Sequence, residues 1–229
     1  MKTNSIKAVI FDLDGVLVDT GEYHKRSWYD LARIEGWGFS DEIFRRTFGM
    51  QNAQIIPTLA GGAVAAGEID RLGEWKERRY RELIAGKLTL LEGVRELIED
   101  LKANGYRLAV GTSTPRVNLD FMLEHTQVRD CFDGLVTSED VVRGKPAPDT
   151  FLRAAEKLGA EAGRCVVVED AVAGVEAGKA AGMAVLAVTT TRRRGELGAA
   201  DRVVDSLAEV GAGDFDKLLG RLDKGNLEK

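Results

Sequence analysis

The segment KAVIFDLDG, residues 7–15, decides the fold because it joins a short apolar strand to two carboxylates. Residues 7–11 form an almost continuous apolar run, which is typical of a strand covered by helices on both faces of a parallel sheet. Asp12 and Asp14 follow at positions i and i+2, so an extended backbone places both carboxylates on one side. Gly15 has no Cβ and lets the chain turn tightly. The segment predicts a reactive carboxylate pair at the edge of a parallel sheet.

The rest of the chain supplies further strands in its second half and helices in between. Apolar runs at 107–110, 165–168 and 183–188 alternate with amphipathic stretches, which indicates βαβ units. From about residue 20 to 90 such runs vanish, and helical patterns at 23–34 and 69–84 replace them. We therefore predict an α/β protein. Residues 1–19 and 91–229 would form a Rossmann-like, doubly wound core, residues 20–90 an inserted helical cap, and 224–229 a flexible tail.

Composition limits the classes of partner. The 229 residues carry a net charge of -5, which gives no field that attracts nucleic acid or an anionic membrane. The basic run 192–194 is interpreted as a solvated loop. No apolar run approaches the ~18 residues of a membrane span, and Cys131 and Cys165 are predicted to be buried, reduced thiols. We expect a cytoplasmic protein without a nucleic-acid or membrane partner, a monomer by default with a dimer as the alternative.

Polar groups follow the predicted strands at the edge where ligands bind in open α/β sheets. They are Asp12 and Asp14, then Thr112 and Ser113, then Lys145, and finally Glu169 and Asp170. Crowded carboxylates repel each other unless a cation compensates, and such oxygen ligands suit Mg²⁺. A hydroxyl before a helix and a lysine form an anion site. The set predicts phosphoryl transfer.

Each carboxylate of the first segment has an expected role in that chemistry. Asp12 would attack phosphorus to give an aspartyl-phosphate. Asp14 would protonate the leaving alcohol and then accept a proton from the hydrolytic water. Asp170 would add a third carboxylate near the metal, with Glu169 as a further ligand or as a neighbour that supports the ligands. Helix capping is the alternative for Thr112 and Asp170.

Four motifs together resemble the signature of the haloacid dehalogenase superfamily. They are DLDGVLVDT (12–20), GTST (111–114), GKPAPD (144–149) and VED (168–170), and they occur in the family order. The resemblance implies a Rossmann-like core with a helical cap. It also implies Mg²⁺ bound by Asp12, Asp170 and the backbone carbonyl of Asp14. The phosphate would be held by Thr112 and Lys145, with Ser113 beside them.

The cap is expected to select the substrate, because a closing lid contacts whatever the phosphate is attached to. Residues 48–52, FGMQN, look like the substrate-specificity loop of capped family members, with Gly49, Gln51 and Asn52 as candidate contacts. His24, just after the hinge, falls where the resemblance places a histidine near the closed site. Lys76 is either an inward-pointing contact or a surface charge.

The resemblance is to the branch that contains β-phosphoglucomutases, phosphoglycolate phosphatases and sugar-phosphate phosphatases. The mutases hold a second phosphate with an arginine in the specificity loop, where this chain has Asn52. A neutral amide cannot supply that charge. We therefore predict a magnesium-dependent phosphatase of a small phosphorylated metabolite, of the sugar-phosphate or phosphoglycolate type. A phosphosugar mutase is the alternative. A non-catalytic metabolite-binding protein is disfavoured, since no catalytic group is missing.

Overall fold

A parallel six-stranded sheet is the centre of the part of the chain that the structure describes. The computed structural model describes residues 6–227, with side chains as far as residue 220. The strands are β1 (Ala8–Phe11), β2 (Arg107–Gly111), β3 (Gly134–Val136), β4 (Cys165–Glu169), β5 (Ala184–Val188) and β6 (Arg202–Val204). Their order is β3-β2-β1-β4-β5-β6. The α/β fold class is thus confirmed, although β3 and β6, only 3 residues each, escaped prediction because so short a run has no readable period.

Helices cover both faces of the sheet. The α-helices are α1 (Gly21–Glu35), α2 (Asp41–Thr47), α3 (Asn52–Ala60), α4 (Ala66–Ile84), α5 (Val94–Ala103), α6 (Arg116–Thr126), α7 (Asp149–Leu158), α8 (Val172–Ala180) and α9 (Ala212–Leu227). Val9 and Phe11 pack on the face covered by α5, α6 and α9, whereas Ala8 and Ile10 pack on the face covered by α7 and α8. Successive strand side chains point to opposite faces, so a run that is apolar at every position suits a sheet buried on both sides.

The four helices α1–α4 lie between β1 and β2 and have an apolar core of their own. It contains Trp28, Leu31, Ile55, Ile56, Leu59 and Leu72. The two connecting segments pair with each other, since the N–H of Leu91 donates to the carbonyl of Leu17 over 2.9 Å. A separate core on a paired double linker is what a rigid lid on a hinge requires, and we propose that α1–α4 act as the predicted cap.

Several features differ from the expectations. Arg192 is buried rather than solvated, because its guanidinium donates to the carbonyls of Thr191 and Arg45. Cys165 is buried as predicted, but Cys131 is only half-buried. Helix α9 includes residues 224–227 of the expected tail, while 228 and 229 lie outside the described residues. Among the described helices, none combines the length and hydrophobicity needed to cross a membrane.

Candidate active site

The strand order brings the polar groups together. Because β1 is flanked by β2 and β4, the sheet changes its direction of winding between β1 and β4, which is where ligands bind in such folds. Phe11 is in register with Val168, so Asp12 and Glu169 leave their strands side by side. The N–H of Asp12 continues the ladder and donates to the carbonyl of Val168 over 2.9 Å.

A buried lysine joins these two carboxylates. The Nζ of Lys145 lies 2.6 Å from Oδ1 of Asp12 and 2.6 Å from Oε1 of Glu169. Lys145 has no exposed surface, and its ammonium also lies 4.7 Å from the centre of the Phe151 ring. The ammonium is therefore fixed beside the predicted nucleophile, as a phosphate-binding cation should be.

Three buried carboxylates form an acidic cluster of Asp12, Glu169 and Asp170, whose ligand oxygens all lie within 4.8 Å of one another. Burial, acting against the pull of Lys145, and the neighbouring carboxylates raise the pKa of Asp12 to about 7. Burial and the carboxylates of Glu169 and Asp12 raise the pKa of Asp170 well above its usual range. Oδ1 of Asp170 is buried without a hydrogen-bond partner among the described residues. The excess negative charge and the free oxygen fit a hard divalent cation.

Glu169 differs from the other two members of the acidic cluster. Its Oε1 accepts from Lys145, and its Oε2 accepts from the N–H groups of Asp170 and Ala171 over 2.8 and 2.9 Å. Of the two expected roles, these contacts favour support of the ligands over ligation. Gly15 has a positive φ of 81° and passes so close to Asp170 that a Cβ would lie 2.5 Å from its Cγ. Only glycine allows this approach.

Asp14 is held by three donors. Its Oδ1 accepts from Oγ1 of Thr20 over 2.5 Å and from Nε2 of His24 over 3.0 Å, and its Oδ2 accepts from Oγ1 of Thr114 over 2.6 Å. Burial by itself raises the pKa of Asp14, but His24 and the two hydroxyls outweigh it and lower the pKa well below the usual range. Asp14 is ionised in this arrangement, the state that a general base requires.

A chain of buried polar side chains leads from Asp14 into the cap. The Nδ1 of His24 lies 2.7 Å from Nζ of Lys76, and the imidazole stacks on Tyr80 with 4.0 Å between ring centres. Since an ammonium only donates, Nδ1 accepts, and Nε2 of a neutral imidazole then carries the proton that is donated to Asp14. Lys76 is thus an inward-pointing residue, with 2% of its surface exposed.

The chain ends on Glu77, a buried carboxylate that the sequence analysis did not single out. Its Oε1 accepts from Lys76 and from Nδ2 of Asn52, both over 2.9 Å. Its Oε2 accepts from Nδ2 of Asn118 over 2.6 Å. Glu77 therefore connects the cap to helix α6 of the core.

The loop after β2 carries Thr112 and Ser113, whose hydroxyls were both expected to bind phosphate. Thr112 is buried at the site, and its Oγ1 accepts from the N–H of Thr114 over 3.1 Å, which leaves its own proton available to a ligand. Ser113, also expected to bind phosphate, instead donates its hydroxyl to the carbonyl of Gly49 over 2.7 Å. Ser113 thus joins the core to the specificity loop in this closed arrangement.

The three predicted substrate contacts in residues 48–52 do not all face the cavity. Gly49 and Asn52 line the cavity above Asp12 and Asp14. Gln51 turns away and donates to the carbonyl of Ser138 over 3.3 Å. The cavity volume is about 40 Å³, room for only a few water molecules, so the cap must open to admit a metabolite.

Thr20, Thr114, Glu77 and Asn118 are the functional candidates that sequence reasoning missed. Thr20 and Thr114 lie inside two of the quoted motifs, so their position was a usable signal. Glu77 and Asn118 are 41 residues apart and meet only through the closed fold, and no local pattern indicates such a contact.

Comparisons with known proteins agree with this geometry. The family model described as haloacid dehalogenase-like hydrolase matches residues 6–182. The chain is 36% identical to a β-phosphoglucomutase of Bacillus subtilis, over 78% of this chain and 81% of the relative. It is 32% identical to a phosphorylated carbohydrates phosphatase of Thermotoga maritima, over 78% and 82% of the two chains.

A solved structure shares the whole architecture. CbbY of Rhodobacter sphaeroides, a variant in complex with xylulose-1,5-bisphosphate, superposes with a TM-score of 0.81 at 28% identity. The match covers 92% of this chain and 99% of that one. The core and the cap helices therefore recur together in a protein that holds a phosphorylated sugar.

Proposed function

The chain belongs to the haloacid dehalogenase-like hydrolase family, and from this premise we propose that it is a phosphatase of small phosphorylated sugars with Asp12 as nucleophile. The observation that carries the proposal is the buried contact of Asp12 with Lys145, beside Asp170 and at the cavity that Asp14 also lines. Nucleophile, phosphate-binding cation, metal-binding carboxylates and a proton-transferring carboxylate are all present in one place.

The first half-reaction transfers the phosphoryl group to the protein. An oxygen of Asp12 forms a bond to phosphorus while the ester P–O bond breaks, and the leaving oxygen takes a proton from Asp14. Thr112 and Lys145 bind the phosphate oxygens. Mg²⁺, held by Asp12, Asp170 and the carbonyl of Asp14, would neutralise the phosphate charge when bound.

The second half-reaction regenerates the enzyme. A water oxygen bonds to phosphorus as the bond to Asp12 breaks, and Asp14 accepts the proton of that water. The net change is an ester plus water to an alcohol plus inorganic phosphate. The closed structure supports the second step, because Asp14 is ionised there. The first step requires the protonated form of Asp14, and we infer that loss of the His24 contact favours this form, because His24 is a donor that lowers the pKa of Asp14.

Phosphate release tests the proposal directly. With Mg²⁺ present, we expect turnover of at least some members of a panel of hexose, pentose, glycerol and glycolate phosphates. Asp12→Asn should lower kcat by about a thousandfold or more while the circular dichroism spectrum is unchanged. Asp130→Asn, the same substitution at an exposed position of the core, is the matched control. If Asp12→Asn keeps full activity, Asp12 is not the nucleophile.

A phosphosugar mutase is the second candidate, favoured by the relative in Bacillus subtilis. Against it, Asn52 is neutral and its amide is bound to Glu77, so it offers no cation to a second phosphate. Conversion of β-glucose 1-phosphate to the 6-phosphate without phosphate release would establish the mutase and overturn the phosphatase.

A further inference from the structure

Glu77 cancels the charge of the one lysine that the cap brings to the site. Among the described residues that line the cavity, the cap supplies a single lysine and no arginine. That lysine, Lys76, lies 2.9 Å from Oε1 of Glu77, and both side chains are buried. At this separation the pair has almost no net charge as seen from the cavity. Binding a second anionic group would require a cation that the described cap does not leave free.

Glu77 is ionised, because its partners favour the charged form. Burial by itself raises the pKa of Glu77, but the charge of Lys76 and the hydrogen bonds from Lys76 and Asn52 outweigh it and lower the pKa. The side chains of Asn52, Lys76 and Asn118 all donate N–H hydrogen bonds to the oxygens of Glu77. The carboxylate is therefore fixed as an anion in the wall of the cavity.

The space beyond this wall is also acidic. A second cleft of about 610 Å³ lies between the cap and the core, and Asn52, Glu77 and Ser113 border both spaces. Its other charged lining residues are Asp70, Glu74, Glu139 and Arg81, and the guanidinium of Arg81 is bound to Asn118. A substrate too long for the closed cavity would extend past Asn52 into an environment with excess negative charge.

We propose that Glu77 is a specificity-determining residue that excludes substrates with a second anionic group and restricts this enzyme to monophosphates whose remainder is uncharged. The inference rests on the proposed phosphatase function and narrows it, because phosphoglycolate, whose remainder is a carboxylate, becomes a poor substrate. The bisphosphate held by CbbY of Rhodobacter sphaeroides would be a poor ligand for the same reason.

Matched sugar phosphates test the exclusion in the unaltered protein. We compare fructose 6-phosphate with fructose 1,6-bisphosphate, and glucose 6-phosphate with 6-phosphogluconate, by phosphate release in Mg²⁺. In each pair kcat/KM should be higher for the substrate with one anionic group, by about tenfold or more. A bisphosphate or phosphogluconate hydrolysed as well as its partner overturns the inference and leaves the phosphatase intact. If no substrate releases phosphate, the proposed function is overturned and so is this inference.

Variants then assign the exclusion to Glu77. Glu77→Gln keeps the shape and removes the charge, so the preference for the monophosphate should fall by about tenfold. Glu82→Gln, an exposed position on the same helix that lines neither space, is the control and should keep the preference. Asn118→Ala removes the contact to the core but keeps the charge of Glu77, so it should change kcat/KM for both substrates by the same factor. A charge-based role is refuted if Glu77→Gln leaves the preference for the monophosphate unchanged. It is also refuted if Asn118→Ala lowers that preference as much as Glu77→Gln does.

Discussion

One methyl group added at Gly174 should disrupt the site by displacing the buried carboxylate of Glu169. Gly174 lies in helix α8, outside the cavity, but its Cα faces the carboxylate of Glu169. A Cβ at Gly174 would lie 2.6 Å from Oε2 of Glu169 and would overlap Oε1 and Cδ. Because Glu169 is buried and held by Lys145, Asp170 and Ala171, the carboxylate cannot move without losing these contacts.

The cost follows from what Glu169 would lose. Lys145 keeps Asp12 as a partner, so the cost is the loss of two of the hydrogen bonds to the charged Glu169, about 3–5 kcal/mol in all at about 1.5–2.5 kcal/mol each. Alanine in place of glycine inside a helix returns about 0.8–1 kcal/mol. The net destabilisation by Gly174→Ala is therefore about 2–4 kcal/mol. For a chain of this size that corresponds to a fall in Tm of roughly 4–16 °C, at 2–4 °C per kcal/mol.

Thermal and urea unfolding measure this loss, with phosphate release measured alongside. Gly67→Ala, in a cap helix where a Cβ would meet nothing within 4 Å, is the matched control and should keep or slightly raise Tm. A double-mutant cycle isolates the cause, because Gly174→Ala should cost almost nothing in a Glu169→Ala background. A Tm within about 2 °C of the wild type, or the same loss in both backgrounds, would refute the reasoning.

Three other perturbations test the electrostatics of the site and the closure of the cap. In metal-free protein a folded-state pKa of about 7 for Asp12 means that the folded state binds more protons than the unfolded state between pH 4 and 7, so Asp12 should make stability fall as pH rises through this window, by roughly 4 kcal/mol. Unfolding titrations in a chelator should show the slope. Mg²⁺ should remove it, and Asp12→Asn should make it shallower, leaving the part that the raised pKa of Asp170 contributes. His24→Phe keeps the stacking on Tyr80 but removes the donor to Asp14, so kcat should fall roughly 10–100-fold and the acidic limb of the pH–kcat profile should move to higher pH. Arg192→Met removes the hydrogen bond to the cap, so KM should rise several-fold with little change in kcat in steady-state assays, whereas a change in kcat alone would argue against a role in closure.

The core of the site was predictable because its residues follow strands. Asp12, Thr112 and Asp170 each lie next to the carboxyl end of a strand, and parallel strands bring these ends to one edge. The sequence therefore specifies both the chemistry and the place. Lys145 was also predicted at this edge, although it follows no strand directly. Its contacts with Asp12 and Glu169, 133 and 24 residues away, come from the sheet order rather than from local spacing.

The roles of the cap side chains could not be predicted, because they depend on contacts between helices and not on position in the sequence. Lys76 lies among the charged residues of an amphipathic helix, and the same letters describe a solvated face or a buried ion pair. What decides is whether His24 and Glu77 lie where they can accept hydrogen bonds from its ammonium, and that depends on the crossing of α1 and α4. Arg192 is a second example. A run of three arginines is typical of a solvated loop, but in the closed structure Arg192 donates to the carbonyl of Arg45 in the cap. The proposed selection of substrates by the cap therefore rests on contacts that the sequence does not predict, so a measured preference between two sugar phosphates tests these contacts more directly than the motifs do.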